Sequence, residues 1–327
     1  MSGFRVVVTD QEREPRPDRP GTRLSGDMSG HVGVIGLGVM GGTIARHLLE
    51  AGYTVTGYDI ARERLDQHAA RGGLAASSCR EVADRAAMVL TSLPSAAALE
   101  QVVAGDQGLA AGDHPDLIVI EASTLPIEVK EHARELLARR GATLLDCPLS
   151  GTGAQARVKD LVVLASGDPE ALRRCQPILA TFARSWHDLG AFGNGSKLKF
   201  LANLLVTIHN LAAAEAILLA KRAGLDPGEA LTVLTDGAGS SRMLEMRGPA
   251  MVTGSYEPAA MRVELYQKDI DLIAAFARDH RAPTPLFSTS AQYYLAALAQ
   301  GRAAQDTACL LAVLEQLAGR GGGGETG

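Results

Sequence analysis

The chain of 327 residues is poor in aromatic side chains, with Phe, Trp and Tyr at 4% and a single Trp. It also lacks a basic stripe, and its formal net charge is −5. A nucleic-acid partner needs a positive field and stacking platforms, so none is expected. Cysteine is scarce: Cys79, Cys147, Cys175 and Cys309 are the only four. No two form C-x-x-C, and their spacings match no zinc module. Thiols so few and scattered read as those of a reducing compartment, and a cytoplasmic location is expected. Their expected role is as small buried hydrophobes; only Cys147 lies beside a motif that invites a catalytic reading. The eight histidines show no ligand spacing, and no metal is expected. No run of 18 apolar residues occurs, so no membrane span is expected. The first thirty residues lack the apolar core of a secretory signal, the longest apolar run being Val6-Val7-Val8. Asp10, Glu12, Glu14, Asp18 and Asp27 argue against a mitochondrial presequence. Residues 1–29, rich in Pro, Arg and Gly, read as a disordered extension with a second plausible start at Met28. Residues 319–327 read as a mobile Gly-rich tail.

What is present is ordinary globular composition, with 46% apolar and 21% charged residues. The length allows two domains with their own cores. From His31 to about Leu189, short apolar runs alternate with helical patterns. The strand-like runs are Val32–Ile35, Thr54–Tyr58, Ala87–Leu90, Leu117–Ile120, Ala142–Leu145 and Leu161–Leu164. Helical spacing occupies Thr43–Glu50 and Ile127–Arg140 between them. This grammar predicts a doubly wound, mostly parallel α/β sheet of the Rossmann kind over residues 30–192. After Gly195 the pattern becomes helical throughout, with Asp226-Pro227-Gly228 and Ala282-Pro283-Thr284-Pro285 as turn signals. An all-helical domain is expected over residues 193–318.

Gly36-Leu37-Gly38-Val39-Met40-Gly41 follows the first strand and opens a helix. Gly36 permits a tight turn, Gly38 a close approach of pyrophosphate to backbone, and Gly41 close helix–sheet packing. A helix N-terminus there offers N–H groups and partial positive charge to phosphates. Strand, glycines, helix and second strand fit within about thirty residues, which defines a dinucleotide site. The second strand ends at Asp59, whose carboxylate suits an adenosine ribose diol and repels a 2′-phosphate, so NAD is expected over NADP. Arg62 and Arg64 follow closely and soften that preference.

Farther on, Lys199, Asn203 and Asn210 fall within about 40° of one another on a helix, a polar stripe among apolar residues. Spacing alone names no catalyst. Four ordered motifs, however, resemble those of the β-hydroxyacid dehydrogenases of the 3-hydroxyisobutyrate dehydrogenase type, over about His31 to Leu317. They are Gly36–Gly41, Asp146-Cys147-Pro148-Leu149-Ser150-Gly151, Gly193-x-Gly195-x-x-x-Lys199-x-x-x-Asn203, and Lys268-Asp269. The resemblance implies hydride transfer between nicotinamide and a small 3-hydroxy acid, in a homodimer or homotetramer. It assigns Lys199 as general acid/base and Asn203 as its partner at the substrate hydroxyl. Ser123, Ser150, Gly151 and Thr152 are to bind substrate. Leu93, Pro94, Thr124 and Lys268 are to join Gly36, Leu37, Gly38, Val39, Met40, Gly41 and Asp59 at the cofactor.

Several residues depart from the family pattern. Thr152 stands where a second Gly is common, Ala202 where Asn or His often precedes Asn203, and Met261 where an aromatic is common. Arg242 stands where many members carry a bulky apolar residue. Pointing inward, it would add a substrate-binding cation for a more polar or second acidic group. Two alternatives share these residues: a semialdehyde- or glyoxylate-type reductase, and an NAD-binding protein without turnover.

Overall fold

Short apolar runs such as Val32–Ile35, which Gly36 ends, and Leu161–Leu164, which Asp160 precedes, set strands. The computed structural model of the chain describes residues 5–8, 30–112 and 114–319. Its strands are β1 (Arg5–Val8), β2 (His31–Ile35), β3 (Thr54–Tyr58), β4 (Leu74–Ala75), β5 (Met88–Thr91), β6 (Ile118–Glu121), β7 (Thr143–Asp146), β8 (Leu149–Ser150), β9 (Leu161–Ala165) and β10 (Ala183–Asp188). Two compact units divide the chain, Met1–Lys199 and Phe200–Gly327.

In the first unit, β4, β3, β2, β5, β6 and β7 form one sheet in that order, every pair parallel. A parallel sheet is covered on both faces, so its strands read as continuous apolar runs rather than alternating ones. Val32 and Val34 of β2, Ile118 and Ile120 of β6 and Leu145 of β7 face one core. Ile35, Val119 and Leu144 face the other. The chain winds outward from β2 through β3 to β4, then returns to β5 on the far side of β2. The order therefore reverses between β2 and β5, and the crevice at their carboxyl ends is where such sheets bind ligands. The glycine loop follows β2 and Leu93-Pro94 follows β5, so both segments reach that crevice.

Leu161–Leu164 does not extend this sheet. It belongs to a second one, ordered β1-β10-β9-β8, in which β9 and β10 are parallel and the outer strands antiparallel. Pro148, which lacks a donor for a ladder, follows β7 at once and turns the chain. Asp146 of β7 bridges to Ser166 just after β9, and the two sheets contribute to one hydrophobic core that holds Val34, Ile118, Val163 and Trp186.

The expectation of a disordered extension over residues 1–29 needs correction at Arg5–Val8. These residues form β1 and pair with Ser185–Asp188 of β10. Three consecutive β-branched valines suit a strand, and β10 offers an open edge. The rest of that expectation, up to Ser29, lies outside the described residues, as does the tail beyond Gly319.

The second unit is built from helices. Pro227–Asp236, Arg242–Thr253, Val263–Asp279, Pro285–Ala299 and Leu310–Leu317 follow the long helix Asn194–Arg222, whose greater part they share the unit with. Asp226 and Ser241 cap two of them by accepting first-turn N–H groups, as their side chains predispose them to do. The helix Asn194–Arg222 is long and apolar enough to cross a membrane by length and composition. Its Asn203, Thr207 and Asn210 are nevertheless buried and hydrogen-bonded within the helical unit, the pattern of a helix packed in a protein interior.

Candidate active site

The turn after β2 is built so that only glycine serves at two of its positions. Gly36 has φ +88°, and a Cβ there would lie 2.3 Å from the Ser92 carbonyl oxygen. A Cβ on Gly41 would lie 1.9 Å from the Gly36 carbonyl oxygen. Gly38 differs: its added Cβ would meet nothing nearer than Arg64 Nη1 at 3.7 Å. The backbone at Gly38 is thus open to a ligand. Gly38 is also the N-cap of the helix Val39–Glu50, and no side chain caps that terminus. First-turn N–H groups with no side-chain acceptor are what a pyrophosphate takes up, so the loop fits a dinucleotide. Leu37 is buried, Met40 half-buried and Val39 exposed.

Asp59 follows β3 and is 6% exposed. Its carboxylate accepts from Leu37 N–H at 2.7 Å and Ala61 N–H at 2.8 Å, which locks it against the glycine loop. Arg64 Nη1 lies 3.2 Å from the same carboxylate. Arg62 is different: it pairs with Asp66 on the exposed face of the next helix. Of the two arginines near the ribose position, Arg64 is the one held there.

Three strand ends supply the next layer. Ser123, after β6, is buried, and its hydroxyl accepts the Leu93 N–H at 2.8 Å. This bond ties the Leu93-Pro94 segment to the Ser123-Thr124 segment. Thr124 is half-buried. Ser150, which ends β8, and Gly151 and Thr152 after it are half-buried, with Gly151 at φ +137°. The Thr152 N–H donates to Gln155 Oε1 at 3.0 Å, and its hydroxyl lies 3.4 Å from that oxygen. Thr152 is therefore engaged as the entry to the short helix Gly153–Arg157. A Cβ on Gly153 would stand 2.5 Å from Val39 Cγ1, so this loop lies against the glycine loop.

The helix bearing Lys199 begins where the chain has no room for a side chain. A Cβ on Gly195 would be 2.3 Å from the Leu164 carbonyl oxygen and 2.7 Å from that of Asp146. Gly193 just before it has φ +89°. These constraints give the Gly-x-Gly pattern a physical reason. Lys199 is 8% exposed and Asn203 6%. Lysine is almost never so buried unless its ammonium is paired. In the helical unit, Asn203 Nδ2 donates to Asp269 Oδ2 at 2.9 Å, and the Asn203 carbonyl accepts from Tyr266 Oη at 2.9 Å. Tyr266 also lies 3.0 Å from the Thr207 hydroxyl, and burial pushes its pKa well above the usual tyrosine range. Asn210, grouped with Lys199 by spacing, instead donates to Tyr294 Oη and the Thr307 carbonyl.

Lys268 is partly exposed and lies 3.5 Å from Asp269 Oδ1. Arg242 does not point inward as expected. It starts the helix Arg242–Thr253, is 64% exposed, and pairs with Glu245 at 3.1 Å. The position after the Ser241 N-cap faces solvent, where a short-range partner one turn on is available. Burial pushes the Cys147 thiol well above the usual value, and those of Cys79 and Cys175 up to about 12, so no thiolate nucleophile is poised here. Among the described residues, no group of three or more His, Cys, Asp or Glu could hold a metal ion.

Two features escaped the sequence reading. One is Asp269 as the partner of Asn203. The other is Lys130, wholly buried with Glu121 and Asp146. Both had a signal: each occupies the buried stripe of an amphipathic helix, Asp269 with Tyr266, Ile270 and Ile273, Lys130 with Ala133 and Leu137.

A switch-point crevice, an uncapped glycine loop and an acid at the second strand end together define a nicotinamide dinucleotide-binding protein. Comparison with known proteins carries this further. The model described as the NAD binding domain of 6-phosphogluconate dehydrogenase matches residues 31–190. The model described as NAD-binding of NADP-dependent 3-hydroxyisobutyrate dehydrogenase matches residues 193–314. An L-threonate dehydrogenase of Cupriavidus necator is 36% identical over 88% of this chain and 96% of its own length. An NAD-dependent L-serine dehydrogenase of Pseudomonas aeruginosa is 30% identical over 84% and 94%. The crystal structure of a 3-hydroxyisobutyrate dehydrogenase from Salmonella typhimurium superposes with TM-score 0.78 at 33% identity, covering 86% of this chain and 99% of that one. The chain belongs to the β-hydroxyacid dehydrogenase family and is an NAD(P)-dependent hydroxyacid dehydrogenase.

Proposed function

We propose that this enzyme is an NAD-preferring dehydrogenase of a short, hydroxylated carboxylic acid, closer to threonate than to 3-hydroxyisobutyrate in polarity. The single observation that carries the chemistry is Lys199, an ammonium-bearing side chain 8% exposed on a largely apolar helix, one turn before the buried Asn203. The chemistry that NAD would supply when bound is acceptance of the hydride from the carbinol carbon. In that direction Lys199 acts from its neutral amine form: Nζ takes the hydroxyl proton as the carbonyl forms and becomes the ammonium, which in reduction returns the proton to the nascent alkoxide. Asn203, oriented by Asp269, holds the reacting oxygen. Ser150, Gly151 and the Ser123 hydroxyl receive the acid's carboxylate. The Thr152 side chain, replacing a hydrogen at the family's second Gly, adds a hydroxyl whose proton points to Gln155 Oε1 at 3.4 Å and whose oxygen is left to accept from a substrate hydroxyl, which favours a polyhydroxy acid over an apolar one. The relative named L-threonate dehydrogenase supports the same choice. Leu93, Pro94, Thr124 and Lys268 complete the nicotinamide side.

Preference for NAD rests on Asp59, whose fixed carboxylate faces the ribose position of the loop. A hydrogen bond to a charged group contributes about 1.5–3 kcal/mol, so kcat/KM with NAD should exceed that with NADP by about tenfold or more. The test is a panel of threonate, 3-hydroxyisobutyrate, serine, glyoxylate and succinic semialdehyde, each assayed with both cofactors by NADH or NADPH absorbance. Equal efficiencies with the two cofactors would transfer the ribose role to Arg64. A best substrate without a second hydroxyl would defeat the threonate-like reading. Activity confined to the aldehydes would favour the reductase alternative.

A further inference from the structure

Beneath the ends of β5, β6 and β7 lie three charges with no exposed side-chain surface. Lys130 Nζ stands 2.6 Å from Glu121 Oε2 and 2.8 Å from Asp146 Oδ1. It also donates to the Ser123 carbonyl at 2.6 Å. Burial works against this ammonium, yet the Glu121 and Asp146 carboxylates hold its pKa above the usual lysine value. Lys130 is thus a fixed cation rather than a proton carrier. One cation faces two carboxylates, and the remaining negative charge is met by donors from several segments, among them Thr91 Oγ1 at 3.5 Å from Glu121 Oε1 and Ser166 Oγ at 3.3 Å from Asp146 Oδ2. Asp146 Oδ2 accepts from Ser196 N–H at 2.8 Å, and Asp146 Oδ1 from the Ser196 hydroxyl at 2.7 Å. Glu121 Oε1 accepts from Ser123 N–H at 3.0 Å.

The connectivity decides what the cluster is for. One end reaches Ser123, and through the Ser123 hydroxyl the Leu93 N–H. The other end reaches Ser196 in the first turn of the helix Asn194–Arg222, where a carboxylate also complements the helix dipole. Lys199 is three residues on, on the adjoining face of the same helix. Stability does not account for such an arrangement. Buried ion clusters are often replaceable by well-packed apolar residues at no cost.

We infer that Lys130 is a positioning residue, a buried cation that fixes the Leu93/Ser123 loops and the start of the Lys199 helix against each other. This rests on the proposed roles of Ser123 and Lys199. Removing the cation alone would strand two carboxylates in the interior, so the informative variant is Lys130→Met with Glu121→Gln, which leaves the cluster's net charge unchanged. Misplacement of reacting groups by about 1 Å costs on the order of 10²-fold in rate. The double variant should therefore melt near wild type, while kcat falls by about that factor. Hydrogen exchange read without cofactor should show the Leu93, Ser123 and Ser196 amides losing protection together. Recovery of kcat along with the melting temperature would overturn the inference, as would unchanged exchange at either segment. If the double variant does not fold, Ser196→Ala keeps all three charges and removes one donor to Asp146. It should loosen Ser123 as well as the helix start, and protection lost at Ser196 alone would refute the coupling. A wild-type enzyme inactive on every hydroxy acid would count against the proposed function, whereas the exchange result judges Lys130 independently.

Discussion

The two units expose chemistry in different ways. In the first, the ligand-facing groups are largely backbone: N–H groups of the glycine loop and carbonyls and amides at strand ends, positioned by residues that are small or absent. In the second, the polar groups are side chains at buried helical positions, such as Asn203, Tyr266 and Asp269, each satisfied by another. A backbone site is written in sequence as a run of glycines with fixed spacing. A side-chain site is written as single polar residues within an apolar stripe, a far weaker signal. The difference follows from geometry, because a helix consumes its own backbone donors except at its ends.

The sharpest way to break this comparison is Lys199→Ala. Loss of a positioned acid/base lowers kcat by about 10²–10⁴ while the melting temperature and NADH Kd stay near wild type. Near-normal kcat would remove the chemistry from that side chain.

Next come two glycines of one loop that should respond in opposite ways. Gly41→Ala forces a Cβ onto the Gly36 carbonyl and should destabilise the first unit by about 1–3 kcal/mol in denaturant titration. Gly38→Ala has room within the protein and should leave stability unchanged while weakening NADH binding. The same response from both would mean that the loop is only a packing element.

A smaller effect is expected in the helical unit. Tyr266→Phe removes the hydroxyl that donates to the Asn203 carbonyl, and should cost about 0.5–1.5 kcal/mol in stability. No measurable change would show that this buried side-chain network contributes nothing to holding Asn203. Smallest of all, Arg242→Leu should alter neither stability nor the substrate panel beyond about 0.5 kcal/mol, as for other exposed positions. A selective rise in KM for acidic substrates would bring Arg242 back to the site.

Much of the first unit was legible because its signals are local. The run Val32–Ile35, the glycines and Asp59 lie within thirty residues, and each has one structural use. The helices after Gly195 were legible from period and turn residues. The Leu161–Leu164 run was recognisable as a strand but not as part of a second sheet. Strand partners are chosen by distant chain, here Ala183–Asp188. Likewise, three valines at residues 6–8 announced a strand only once β10 offered an edge.

The sequence by itself determined the class of ligand and the polar stripe on which Lys199 and Asn203 lie. Glycine spacing and helical period are properties of consecutive residues, and backbone sterics read them without help. Tertiary structure alone decided which polar residues are spent and which remain for chemistry. It committed Asn210 to Tyr294 and Thr307, and brought Lys130, Glu121 and Asp146 together from three segments. A hydrogen bond or ion pair needs its partner within about 3 Å, and only the folded chain supplies partners that sequence separates.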